Sequence, residues 1–171
     1  MNNKFFSRLK NQLIEVYSGE DSSRFDVGII VLYDNDWILL QTYDNFGSND
    51  GLMLLRADTI YKINYNTQYI KNLKCLTKEF APKIKTNKNE TLFSSFIDQI
   101  GDDNLVSIVL SNNCEIVGKL EEDDDDYLLI NLYLENGLPD GSAFIFKDEV
   151  TCIQLNTEEC KKIQKNIAIQ F

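Results

Sequence analysis

Apolar and polar positions change period several times along the chain, and each change marks an element. Phe5, Phe6, Leu9 and Leu13 fall at helical spacing with Lys and Arg opposite, which predicts a helix over 4–13. Short runs rich in β-branched and aromatic residues follow at 13–17, 25–32, 37–43, 52–56 and 59–63, bounded by turn-forming residues, and read as five strands. Helical spacing returns at Tyr69, Leu73, Leu76 and Phe80 behind Asn66-Thr67, a natural N-cap. The series then repeats. Leu92, Phe93, Phe96, Ile97 and Ile100 predict a helix stopped by Gly101. Strands are expected at 105–110, 115–122, 127–134, 142–146 and 149–155, and Cys160, Ile163 and Ile167 give a last helical face behind Asn156-Thr157. The segments NFGSNDG (45–51) and ENGLPDG (135–141) both end in Asp-Gly and read as the hairpin turns between third and fourth strands.

Shifting residues 26–73 by ninety lays them on 116–163 without a gap, and 14 of the 48 positions are identical. Among them are Gly28, Asp34, Asp36, Leu39, Gly47, Gly51 and Asn66 with their counterparts. An internal duplication is the expectation. Phe6, Ser7 and Gln12 match Phe93, Ser94 and Gln99 at an offset of 87, which extends the repeat to the opening helix. The pattern predicts a mainly β protein with flanking helices, in two domains: 1–80, and 90–171 after a polar linker at 81–89 that carries Pro82. Each domain has a helix, five short antiparallel strands and a helix after strand five.

Charge and composition remove several chemistries. The sequence contains no histidine, which excludes histidine triads, imidazole proton shuttles and most catalytic zinc sites. Four cysteines, with no C-x-x-C among them, read as free thiols of a reducing cytosol. No apolar run approaches bilayer length and residues 1–10 lack a secretion signal's apolar core, so a cytoplasmic location is expected. The net charge of −10 is unevenly spread: residues 1–89 carry 12 basic and 10 acidic side chains, residues 90–171 carry 5 and 17. An acidic second half repels phosphate backbones. The run Asp123–Asp126 reads as a solvated turn rather than a metal site, because no glycine-centred loop with a distal bidentate Glu follows it. Trp37, Tyr43, Tyr61, Tyr65 and Tyr69 contain the makings of an aromatic cage, but core and rim packing is the preferred reading. With no phosphate-cradling loop and no base for a Ser or Cys nucleophile, no enzyme, no catalytic residue and no cofactor are expected.

The segments GIIVLYD (28–34) and GKLEEDD (118–124) resemble the first motif of the Sm/LSm family, and LRADTIYKI (55–63) approaches its second; IFKDEVTCI (145–153) keeps only the apolar frame. The resemblance implies a small SH3-like open barrel of five bent strands, twice over, with Gly28, Asp34, Gly118 and Asp124 as the motif residues. A strand bending across so small a barrel needs a position without Cβ. The family binds single-stranded RNA in rings, with a stacking residue two after the motif Asp, an Asn two further on, and the second-motif Arg. Here those positions hold Asp36 and Asp126, Ile38 and Leu128, and Arg56 and Phe146. One group of six remains, and stacking is worth about 1–3 kcal/mol per base, so the usual pocket is expected to be lost.

The leading expectation is a non-enzymatic interaction or assembly protein that associates through exposed sheet edges, with itself or with a protein partner, and not with a membrane. The alternative is RNA binding by an altered surface around Arg56 and the lysines of 71–88, among them Lys74, Lys78, Lys83 and Lys85. A third reading is an acidic protein that neutralises a basic partner, as immunity proteins do.

Overall fold

A computed structural model of the chain describes residues 3–19, 24–73, 84, 86 and 90–170. The expected linker at 81–89, apart from positions 84 and 86, and the expected helical residues 74–80 lie outside the described residues. The chain divides into two compact units, Met1–Phe96 and Ile97–Phe171.

The first unit opens with helix α1 (Asn3–Leu9) and continues through β1 (Leu13–Ser18), β2 (Asp26–Tyr33), β3 (Trp37–Tyr43) and β4 (Asn49–Arg56). A 3-10 turn at Ala57–Thr59 leads to β5 (Ile60–Tyr65) and α2 (Gln68–Asn72). Within the unit the antiparallel order is β5-β1-β2-β3-β4, so the fourth and fifth strands are the outermost. Helix α1 is shorter than its periodicity suggests. Asn11 turns left-handed at φ 63°, the Gln12 N–H closes back on the Leu9 carbonyl at 3.0 Å, and Leu13 already belongs to β1. Phe6 and Leu9 are buried, and the Phe6 ring meets Tyr33 of β2 at 5.7 Å. Most of helix α3 (Leu92–Ile97) falls in this unit too: Phe93 lies 5.0 Å from the Trp37 ring, and the Leu92 N–H donates to Asp34 Oδ2 at 2.7 Å.

The second unit holds β6 (Leu105–Leu110), β7 (Glu115–Asp123), β8 (Tyr127–Tyr133), β9 (Pro139–Phe146), a 3-10 turn at Lys147–Glu149, β10 (Val150–Leu155) and α4 (Glu158–Gln170). Its order is β10-β6-β7-β8-β9, again antiparallel. Thr67 and Thr157 cap the helices after the fifth strands, accepting from the N–H of Ile70 and of Cys160, each at 3.2 Å. Asn66 and Asn156 both stand left-handed just before, at φ 57° and 60°. Helix α4 closes a small core of Leu105, Cys160 and Ile163, flanked by Val117, Tyr133 and Ile167. Cys152 and Cys160 are buried and Cys114 is exposed, and none of the three is in a disulfide.

One turn differs from expectation. The hairpin between β3 and β4 turns at Asn45–Gly47, where Asp44 Oδ1 accepts from the N–H of Phe46 (2.9 Å) and Ser48 (2.8 Å). Asp50-Gly51 and Asp140-Gly141 lie inside β4 and β9, with both glycines left-handed (φ 89° and 85°) and the register shifting opposite them. These pairs form β-bulges, not turns.

Burial separates the two units. Burial is continuous through residues 37–42 of β3 and 51–55 of β4, with Leu39, Leu40 and Leu54 completely enclosed. In β8 and β9 burial alternates: Leu128, Ile130 and Ile145 face the core, while Phe144 and Phe146 stay 65% and 64% exposed.

Candidate functional site

The motif glycines sit where strands cross closely. A Cβ on Gly28 would stand 2.8 Å from the Gln41 carbonyl oxygen; one on Gly118 would stand 2.3 Å from that of Asn131 and 2.4 Å from Ile130 Cγ2. The motif aspartates hold turns. Asp34 Oδ1 accepts from the N–H of Asp36 (2.9 Å) and Trp37 (2.7 Å). Asp124 Oδ1 accepts more loosely from Asp126 at 3.3 Å. An aspartate two to three residues ahead of such donors forms an Asx turn, so its carboxylate is engaged by backbone rather than presented to a ligand.

The positions where the resemblance would put a nucleotide are divided between surface and core. Asp36 and Asp126 are exposed carboxylates, while Ile38 and Leu128 are completely buried. Arg56 Nε pairs with Asp58 Oδ1 at 2.8 Å. Lys74, Lys78, Lys83 and Lys85 lie outside the described residues. Of the expected cage residues, Tyr61 and Tyr69 belong to one ring cluster, while Trp37 meets Phe93. Tyr17 meets Phe25 (5.2 Å) and Tyr61 (6.2 Å), Phe25 meets Tyr69 (5.2 Å), and the Lys62 ammonium lies 3.5 Å from the Tyr17 ring centre.

Two carboxyl groups escaped the sequence reading. Glu15 is almost fully buried on β1, where it accepts from Asn64 Nδ2 (2.9 Å), Tyr17 Oη (3.1 Å) and Thr67 Oγ1. Burial pushes its carboxyl up, but the three hydrogen bonds and nearby Lys62 outweigh burial and hold it below its ordinary 4.5. The sequence carried a cue in the apolar run around it: Glu15 is the one acid of LIEVY, and residues 14–17 are all buried. Asp26, at the start of β2, is pushed up to about 6 by desolvation and then by the negative charge of Asp50. No sequence signal marks it, because Asp50 stands 24 residues away.

A third feature is a surface. Across β8 and β9 the register pairs Tyr127 with Phe146 and Leu129 with Phe144, which puts these four side chains on one face. The rings of Tyr127 and Phe144 meet edge-on at 5.2 Å, and Tyr127 Oη donates to Glu122 Oε1 at 3.0 Å. That bond, then desolvation and the charges of Glu122 and Asp124, raise the tyrosine's pKa. Residues 121–126, six consecutive acids, are all exposed. A second surface lies at α1, where Phe5, Arg8, Leu9, Gln12 and Tyr65 line a pocket of about 210 Å³.

Among the described residues there is no group of three or more Cys, Asp or Glu arranged to hold a metal ion, and no helix is long and apolar enough to cross a membrane. No protein-family profile, no curated protein and no solved structure matches the chain.

Proposed function

We propose that the chain is a non-enzymatic assembly protein built of two Sm-like open barrels, one per unit, that associates through its outer strands. The observation that carries this reading is the pairing at β5 and β9. Among the described residues β5 pairs with β1 and β9 with β8, and neither has a second neighbouring strand. Each leaves one side of its backbone without sheet partners, and another strand can add there. Tyr61 and Tyr65 on β5, and Phe144 and Phe146 on β9, add exposed rings to these edges. Strand order and the two close-packed motif glycines support the Sm-like reading. RNA binding is the less favoured alternative: Arg56 is engaged by Asp58, and the stacking positions hold carboxylates.

Hydrogen exchange measured over a concentration series tests the assembly. Amides of β5 and β9 become protected as the mass rises; a chain that stays monomeric at roughly millimolar concentration overturns the reading. Filter binding with oligo(U) is expected to show no retention, and Arg56-dependent retention at low salt would restore the alternative.

A further inference from the structure

The two units treat one face differently. In the first, one face of β3 and β4 pairs Trp37 with Arg56 and Leu39 with Leu54, and Trp37, Leu39 and Leu54 are buried. Leu92 and Phe93 of α3 are buried in the same unit, Phe93 against the Trp37 ring and Leu92 bonded through its N–H to Asp34. The matching face of the second unit carries Tyr127, Leu129, Phe144 and Phe146 beside Asp124, the counterpart of Asp34, yet both phenylalanines are open to solvent. Two neighbouring, mostly exposed phenylalanines on an ordered strand mark a surface made to be covered.

The chain itself carries a second version of the covering helix. Helix α1 repeats α3 at an offset of 87, with Phe5 where α3 has Leu92 and Phe6 where α3 has Phe93. Phe6 is spent inside its own unit, but Phe5 is 41% exposed and Tyr65 of β5, lining the same pocket, is 56% exposed. Arg8, which lines that pocket too, and Lys10, just past the end of α1, are exposed. An apolar corner bordered by cations thus complements an apolar face bordered by the acids of 121–126, of which Asp123 is paired with Lys147 at 2.6 Å. We infer that the Tyr127–Phe144–Phe146 face is the docking site for the α1–β5 corner of a second copy of this chain, joined head to tail.

The contact rests on the assembly reading above and gives it a side-chain address. Phe5 and Tyr65 of one copy lie on Phe144 and Phe146 of the next, and Arg8 and Lys10 stand over the acidic turn. The two surfaces differ, so the contact is heterologous and each copy keeps one of each kind to offer. Like-charged ends would not attract, and salt weakens the opposed ones.

Sedimentation of the full chain tests this with three variants at exposed positions: Phe5→Asp, Arg8→Glu, and the double variant Phe144→Ser/Phe146→Ser. Circular dichroism and thermal melting establish that each is folded. The double variant and Phe5→Asp are each expected to weaken self-association about tenfold or more, as loss of a central aromatic contact does; Arg8→Glu weakens it less and flattens its salt dependence. Mixing Phe5→Asp with the double variant restores a 1:1 dimer that grows no further, because each partner supplies the surface the other lacks. If the wild type assembles and all three variants assemble as it does, the contact is wrong while edge association stands. A mixture that stays monomeric also rules out the head-to-tail contact. A wild type that never assembles ends both.

Discussion

At the level of single residues, two carboxyl groups give the protein opposite responses to pH. Glu15 is held below its ordinary 4.5 by its hydrogen bonds. Its stabilisation is therefore complete above its unfolded pKa and lost as pH falls through the depressed folded value. Glu15→Gln keeps the size but weakens three accepted bonds, and urea unfolding near pH 7 should show a loss of about 1–3 kcal/mol. The gap to wild type should narrow as pH falls below 4.5. Asp26 runs the other way. Raised to about 6, it binds its proton more tightly when folded, so stability falls as pH rises from its unfolded value to about 6. Asp26→Asn should melt above wild type at pH 7.5 and level with it near pH 4. The motif glycines make a steric comparison. Gly118→Ala drives a Cβ into backbone and a branched side chain, whereas Gly28→Ala meets one carbonyl less closely. Both should lower the melting temperature, Gly118→Ala more, within the roughly 1–3 kcal/mol of an overpacked core.

Among the elements, strands were more legible than the devices that join them. Alternation and turn residues located β3 and β6 to the residue and the other strands within three residues at either end. Helix α1 was overread because Leu13 continues its apolar spacing; a left-handed Asn11 ends the helix, and one-dimensional periodicity does not record φ. Asp-Gly was misplaced for a related reason. The pair favours left-handed backbone in a turn and in a bulge alike, and only pairing across the ladder tells them apart. Gly141 allows a clean test of that conformation, since a Cβ there would touch nothing within 4 Å. Gly141→Ala should therefore cost only the left-handed backbone term, about 1–2 kcal/mol, read from the shift in denaturation midpoint.

For the whole molecule, the helix–five strands–helix order was legible because it was written twice, and agreement between copies filtered chance patterns. The surfaces were much less so. Leu52–Arg56 and Ser142–Phe146 are both short, mainly apolar runs, yet Leu54 is fully buried and Phe144 mostly exposed. Exposure is a property of what lies against a strand, and neighbours distant in sequence decide it. The acidic turn was visible as charge, but Tyr127 and the phenylalanines beside it came together only through strand register.

The buried thiols supply a clock. Burial raises the pKa of Cys160, which keeps it protonated and unreactive, and Cys152 on β10 is equally enclosed. A thiol-reactive dye should label Cys114 quickly, and should reach Cys152 and Cys160 at the rate at which the second unit exposes its interior. Their labelling kinetics, followed by mass spectrometry of the peptides, would time that breathing without an introduced probe.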